Sequence, residues 1–233
     1  MTSNEARIAM LSDALIDDAP RAGSLGNTKV TRDDWLNLAL DTLISEGVEA
    51  VRILALGQKL NVSRSSFYWY FKSRQDLLDQ LLDHWRNNNT RFILEHAQHS
   101  AATITQAVLN VFECWVDETL FNPRLDFAIR AWSRQSENVH AIVNEEDDKR
   151  VAAIRDMFMR HGYEEMDAFV RARVLYFVQI GYYSLEIDEP MSNRLALVPA
   201  YLVAHTGKKP LDGEVEAFAA SVQRRNSQPG EPG

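Results

Sequence analysis

Apolar residues recur at helical intervals in the N-terminal part of the chain. In the segment between Thr31 and Gly47, one face carries five of them, namely Leu36, Ala39, Leu40, Leu43 and Ile44. Thr31 can cap the first turn, and Gly47 stops the segment because glycine tolerates the backbone conformation that ends a helix. The spacing therefore predicts a helix with one buried face.

A second, shorter helix is predicted immediately downstream. Ile53, Leu56 and Leu60 again recur at helical intervals, and Asn61 follows where this helix ends. Asparagine tolerates the left-handed conformation that a tight turn needs, and Ser63 can cap a third helix. Two helices joined by such a turn are typical of a helix-turn-helix.

The third helix separates its side chains onto two faces. The residues expected in the core are Val62, Phe67 and Phe71. The opposite face carries Arg64, Ser65, Tyr68 and Lys72. Arginine can read guanine edges, hydroxyl groups reach bases or phosphates, and tyrosine can donate to a phosphate oxygen, so this face has the chemistry of a DNA-reading surface.

The distribution of charge supports this interpretation. The whole chain has a net charge of -8, yet no acidic residue lies between Ala50 and Gln75, where five bases occur, namely Arg52, Lys59, Arg64, Lys72 and Arg74. Residues 29–75 hold seven bases and five acids, a net charge of +2, which leaves -10 for the remainder. Only the first region suits a phosphate backbone. The alternative is a solvated helix face beside a small core.

Here the chain resembles the DNA-binding domain of the TetR family of transcriptional regulators. The resemblance covers residues 29–89 and rests on TRDDWLNLALDTLISEG, the helix-turn-helix and SFYWYFKSRQDLLDQLLDHW. It differs from the commonest pattern at Asn61, where glycine is usual, and at Tyr70, where many relatives carry histidine. The resemblance also implies that Arg74 begins a fourth helix against the DNA backbone. The predicted DNA-binding residues are Lys29, Arg52, Ser63, Arg64, Ser65, Tyr68, Tyr70, Lys72 and Arg74.

The rest of the chain predicts an all-α fold in two domains. Helical spacing continues near 103–120, 124–134, 137–161, 165–187 and 192–205, with a short helix near 213–225. The expected organisation is an arm over 1–28, a DNA-binding domain over 29–89 with the motif at about 52–71, a helical ligand-binding and dimerisation domain over 90–225, and a tail over 226–233. The arm is either a solvated tail or a basic strand that follows a minor groove through Arg21 and Lys29.

Two of these helices are apolar on almost every face. Residues 174–185 have only Gln179 and Ser184 as polar interruptions besides Gly181, and residues 195–204 hold no charged residue. A helix that is apolar all round must be buried all round. Both are either central helices of a monomeric core or, as the resemblance implies, the helices near 165–187 and 192–205 that pair two subunits into a homodimer. Pro199 is expected to kink the second.

The resemblance also implies a small-molecule effector pocket in the second domain. Aromatic walls with a few polar groups suit a largely apolar ligand. The predicted lining is Phe112, Trp115, Phe127, Arg130, Tyr176, Gln179 and Tyr183. Aromatic residues at helical spacing are also ordinary core residues, and Arg130 can pair with Asp126 four residues earlier.

Little in the sequence indicates catalysis. Cys114 is the only cysteine, the six histidines are scattered, and no phosphate-binding loop is found, so we expect no enzyme activity, metal or cofactor. With no targeting or spanning segment, we expect a cytoplasmic protein without a membrane partner. The favoured hypothesis is a homodimeric repressor that binds a double-stranded DNA operator and is released by a small ligand. The alternative is a helical small-molecule binding protein or enzyme whose helix-turn-helix no longer binds DNA.

Overall fold

The computed structural model describes residues 30–227, with side chains up to Arg225. Within this range the chain forms eleven α-helices and no β-strand, which confirms the predicted all-α class. The helices are α1 (Arg32–Glu46), α2 (Ile53–Lys59), α3 (Arg64–Phe67), α4 (Arg74–Trp85), α5 (Arg91–Gln98), α6 (Ile104–Val116), α7 (Pro123–Ser133), α8 (Glu137–Arg160), α9 (Glu165–Ser184), α10 (Met191–Thr206) and α11 (Glu214–Ser227). All of them belong to one unit that begins at Arg32. The predicted domain limits stay a prediction.

Several helix ends differ from the predicted ones for local reasons. The helix predicted over 103–120 ends at Val116, because Asp117 Oδ1 accepts the backbone N–H of Thr119 and so competes with the helical hydrogen bonds. The helix predicted over 165–187 ends at Ser184, and Glu186 then has a left-handed φ of 49°. A five-residue π-helical segment, Arg86–Thr90, and α5 after it were not predicted.

A small aromatic core holds the first helices together. Trp35, Phe67 and Phe71 are fully buried, with Trp35 edge-on to Phe67 at 5.3 Å and Phe67 stacked on Phe71 at 5.1 Å between ring centroids. Gly57 lies under this core, where an added Cβ would be 3.2 Å from the carbonyl oxygen of Val62. Glycine therefore permits the close approach of α2 to the turn that follows it.

The larger core lies among the later helices. Helix α8 packs along α9, and α5 packs between α6 and α8. Helix α4 continues through the π-helical segment into α5, while α1 packs against α7. The first helices are therefore joined to the rest of the unit both by a nearly continuous helix and by a helix–helix contact.

A buried ionic cluster lies where these helices meet. Arg150 on α8 is completely buried and donates to Thr90 Oγ1 at 3.0 Å, to Asp126 Oδ1 at 3.1 Å and to the hydroxyl of Tyr176 at 2.8 Å. Trp85 at the end of α4 donates its indole N–H to the same Asp126 oxygen at 2.8 Å, and the guanidinium lies 4.9 Å from the Trp85 ring. The cluster thus connects α4, α7, α8 and α9.

Arg130 on α7 completes the cluster. Its Nε donates to Asp126 Oδ2 at 2.7 Å, and its two terminal nitrogens donate to Asp147 at 2.8 and 2.7 Å. The Tyr176 hydroxyl donates to Asp147 at 2.6 Å. Burial alone would raise the pKa of Asp126, but Arg150 and Arg130 together hold that pKa below its ordinary value. The buried Asp126 carboxylate therefore stays ionised between the two guanidinium groups.

We predict that Asp126→Asn lowers the free energy of unfolding by about 3–5 kcal/mol, because it leaves two buried guanidinium groups with one carboxylate. The wild-type contribution is present above the ordinary Asp pKa of 3.8 and is lost as the pH falls through the lower folded value. Urea denaturation at neutral and acid pH measures both effects. The matched control is Glu145→Gln, an exposed partner of Lys149, which should change little.

Candidate nucleic-acid interface and interior pocket

The turn between α2 and α3 has the geometry that the sequence predicted. Asn61 has a φ of 54°, in the left-handed region. The N–H of Val62 donates to the carbonyl of Gly57 at 2.9 Å, and the N–H of Asn61 donates to that of Gln58 at 3.1 Å. These two bonds are the pair that define a Schellman motif, which ends α2 and turns the chain sharply into α3.

The exposed face of α3 holds the predicted reading residues. Arg64 donates to the hydroxyl of Tyr68 at 2.8 Å and lies 5.6 Å from its ring centroid, so the two side chains form one exposed pair. Ser63 begins the helix but makes no capping bond, which corrects the sequence prediction. Its hydroxyl instead lies 2.7 Å from that of Ser65.

One exposed aromatic residue was missed by the sequence analysis. Trp69, in the turn that follows α3, is 80 % exposed and is adjacent to the Arg64–Tyr68 pair in sequence. A tryptophan is seldom so exposed without a partner. Its exposure could have been predicted from the sequence, because Trp69 lies between Phe67 and Phe71. Both of these residues face the core, so the Trp69 side chain must point away from it.

The basic residues around this face differ in how they are engaged. Lys59 pairs with Glu46 at 2.5 Å, so an acid from outside the acid-free window neutralises it. Arg52 is exposed, and its Nε donates to the carbonyl of Glu49. Lys72 is exposed. Tyr70 is half-buried. Lys29 lies outside the described residues.

Arg74 is engaged inside the protein rather than extended towards solvent. Its Nε donates to the carbonyl of Val51 at 2.6 Å and its Nη2 to that of Val48 at 2.7 Å. The prediction that Arg74 binds DNA stays a prediction. The side chain fastens the start of α4 to the short 3₁₀ turn before α2.

An interior pocket of about 80 Å³ lies among α6, α9, α10 and α11. It includes three of the predicted ligand residues, Phe112, Trp115 and Gln179, with further aromatic walls from Tyr182 and Phe218.

Residues 36–81 match the family described as bacterial regulatory proteins, tetR family. This match assigns the N-terminal helices to the DNA-binding domain of the TetR family. No curated protein matches it. Its fold is similar to that of AmtR from Mycobacterium smegmatis, at 14 % identity with 89 % of this chain and 99 % of that chain covered and a TM-score of 0.55. Salmonella enterica GusR is similar at 13 % identity, with 86 % and 97 % covered and a TM-score of 0.53.

The other predicted ligand residues do not line the pocket. Phe127 and Tyr183 line a separate groove beside Ile44, near the end of α1. Arg130 and Tyr176 belong to the buried ionic cluster. The predicted set is therefore corrected: helical spacing placed these residues on inward faces, but the inward faces meet at three different sites.

Helices α9 and α10 leave an apolar face uncovered. On α9, exposed apolar side chains recur every four residues at Met166, Val170, Val174 and Val178. On α10, Leu197 and Tyr201 are exposed at the same spacing. We call these six residues the apolar stripe. The two helices pack against each other, so the stripe spans both.

The described part of the chain contains no cluster of His, Cys, Asp or Glu arranged to hold a metal ion. Cys114 is buried, and burial raises the pKa of its thiol far above the ordinary value. Among the residues described, no helix has the length and apolar character needed to cross a membrane.

We predict that Arg74→Met lowers the free energy of unfolding by about 1–3 kcal/mol, since methionine keeps the apolar stem but leaves two backbone carbonyls without their charged donor. Urea denaturation measures this. Lys72→Met, at an exposed position nearby, is the control and should leave stability unchanged. A stable Arg74→Met protein with weakened DNA binding would instead assign Arg74 to the DNA.

Proposed function

We propose that this TetR-family protein is a sequence-specific DNA-binding transcriptional regulator, a homodimeric repressor that a small, largely apolar ligand releases from its operator. The observation that carries the DNA-binding role is the exposed face of α3. Arg64, Tyr68 and Trp69 are presented there by a rigid turn, and the surrounding sequence window lacks acidic residues. Such a face suits a major groove, with arginine on base edges and hydroxyl groups on phosphates.

The homodimer is supported by the apolar stripe. Exposed apolar side chains at four-residue spacing on two adjacent helices match the seam of a helix bundle, and a second copy would supply the same stripe. Pairing two copies also places two reading helices on one duplex. Dimeric helix-turn-helix proteins bind half-sites about 34–36 Å apart, so the separation of the two heads decides whether both engage.

Release by a ligand is supported by the position of the interior pocket. Its lining includes Val178 and Tyr201, which also belong to the apolar stripe. A ligand that moves these side chains therefore changes the surface that sets the separation of the two heads. The coupling between the two sites would be reciprocal, so DNA would weaken the ligand by the same factor.

The alternative is a helical binding protein or enzyme whose helix-turn-helix no longer binds DNA. The exposed side chains of Arg64, Tyr68 and Trp69, on α3 and in the turn that follows it, favour the regulator, because a surface without a ligand needs no exposed aromatic pair. Nuclease protection of genomic DNA fragments by the purified protein tests the proposal. Protection of no specific sequence, at low salt as well as at physiological salt, would favour the alternative.

We predict that Arg64→Ala weakens binding to the protected sequence by about 1–3 kcal/mol and lowers the preference for it over a scrambled duplex. Lys72→Ala should weaken binding to both duplexes alike and reduce the salt dependence, as loss of a phosphate contact does. Gel-shift titrations on the two duplexes measure both effects. Unchanged affinity in the Arg64 variant would exclude α3 as the reading element.

We predict that Val178→Glu abolishes the dimer, because it places a charge in the middle of the apolar stripe without a partner. Sedimentation velocity should show a monomer, and affinity for the two-half-site duplex should fall with it. The control is Glu216→Gln on α11, which is exposed and outside the stripe. A wild-type protein that is monomeric at micromolar concentration would contradict the proposed dimer.

A further inference from the structure

Unpartnered buried polar atoms concentrate around the interior pocket. In the described part of the chain, six buried side-chain nitrogens lack a well-formed hydrogen bond, and three of them belong to pocket residues: Trp115 Nε1, Gln179 Nε2 and His205 Nδ1. Gln179 has a polar neighbour in the hydroxyl of Tyr183, which itself donates to the carbonyl of Trp115. A buried polar atom without a partner is costly, and native proteins rarely leave several together. Because they cluster at one pocket, a ligand that offers hydrogen-bond acceptors would stabilise this pocket more than any purely apolar ligand.

The chemistry of these atoms defines the ligand that would satisfy them. An indole N–H only donates, and an amide nitrogen also only donates. His205 is uncharged at neutral pH, because burial lowers its pKa to about 4. The guanidinium of Arg194 lies on the same pocket wall, where it donates to the carbonyl of Trp115 at 3.3 Å and lies 5.1 Å from the Tyr182 ring. Glu189 is the one acidic group in the lining, and it accepts from the Tyr182 hydroxyl at 3.4 Å.

The volume of the pocket is small. Its volume of about 80 Å³ is roughly half of the 150 Å³ that holds a benzene ring in an engineered cavity. The unpartnered nitrogens are also out of reach of water. Val178 and Tyr201 are the exposed members of the lining, so an entering ligand would displace them first and open a path to the polar atoms.

We propose that this pocket binds a small, mostly apolar ring compound whose polar group is a carbonyl or carboxylate oxygen, which accepts hydrogen bonds from Trp115 and Gln179. The apolar walls, which include Phe112, Val198 and Phe218, hold the ring. The role of such a compound as effector rests on the proposed regulatory function. Its binding does not, because binding depends only on the pocket.

The test uses three probes of nearly equal shape: acetophenone, α-methylstyrene and benzoate. α-Methylstyrene replaces the carbonyl oxygen of acetophenone with a CH₂ group and so removes the acceptor alone. We expect calorimetric titration of the wild-type protein to show acetophenone binding about tenfold more tightly than α-methylstyrene, the gain from a hydrogen bond to an otherwise unpaired buried donor. Equal binding of the two, or binding of none of the three at millimolar concentration, would overturn the proposal.

Two variants identify the donors. Gln179→Met keeps the length of the side chain and removes its amide, and Trp115→Phe keeps an aromatic wall and removes the indole N–H. In each variant, the ratio of the affinity for acetophenone to the affinity for α-methylstyrene should fall towards one, while α-methylstyrene still binds. Trp69→Phe, the same change on the exposed surface, is the control for ligand binding. A preference that survives in both pocket variants would show that other groups hold the oxygen.

Benzoate distinguishes a ligand whose acceptor is a carboxylate from one whose acceptor is a neutral carbonyl group. If benzoate binds more tightly than acetophenone and Arg194→Gln removes that gain, the natural ligand class is a carboxylate held by Arg194. If acetophenone binds more tightly, Glu189 repels the anion and the class is a neutral carbonyl compound. Gel shifts with the same protein test the regulatory proposal independently. If the protein does not bind DNA specifically, the regulatory proposal is wrong. The calorimetric comparison of the probes tests the ligand proposal alone.

Discussion

The fully buried guanidinium of Arg150 constrains the whole arrangement of helices. A charge removed from water is tolerated only where carboxylates and further hydrogen bonds surround it, and here these come from α7, α8 and α9 and from the π-helical segment after α4. None of these helices can shift independently without leaving a charged group unpaired. The indole of Trp85 extends this constraint to α4, and α4 is fastened by Arg74 to the turn before the helix-turn-helix. The reading element is therefore built onto a rigid frame.

Local signals made the N-terminal helices predictable. The turn at Asn61, the end of α1 at Gly47 and the burial of Phe67 and Phe71 each depend on residues a few positions apart, and backbone geometry at such distances is strongly restricted by residue type. The exposed face of α3 follows from the same periodicity. Trp69 was missed because the predicted DNA-binding residues were chosen for their charge or their hydroxyl group, and the tryptophan side chain has neither.

The cluster and the pocket depend on pairings that periodicity cannot show. Asp126 meets Trp85 across 41 residues and Arg150 meets Thr90 across 60. Spacing predicted that Tyr176 and Arg130 face inward, as they do, but inward faces of different helices lead to different sites. The predicted pairing of Arg130 with Asp126 was a local i,i+4 contact and is confirmed, whereas its contacts with Asp147 and Tyr176 needed the tertiary structure.

Helix α9 is the element that all of these features share. Tyr176 faces the ionic cluster, Gln179 lines the interior pocket, and Val174 and Val178 belong to the apolar stripe. Because protein interiors are packed as densely as organic crystals, a shift of α9 that widens the pocket must be accommodated on the other two faces. On the face of α9 that carries Tyr176, the ionic cluster resists such a shift, since its charged hydrogen bonds would break. On the other, the apolar stripe can slide against a second copy at much lower cost, because apolar contacts are not directional. If two copies pair through the apolar stripe as proposed, a ligand in the pocket would act more readily on the dimer seam than on the cluster. The cluster would then keep each DNA-binding head intact while the distance between the two heads changes.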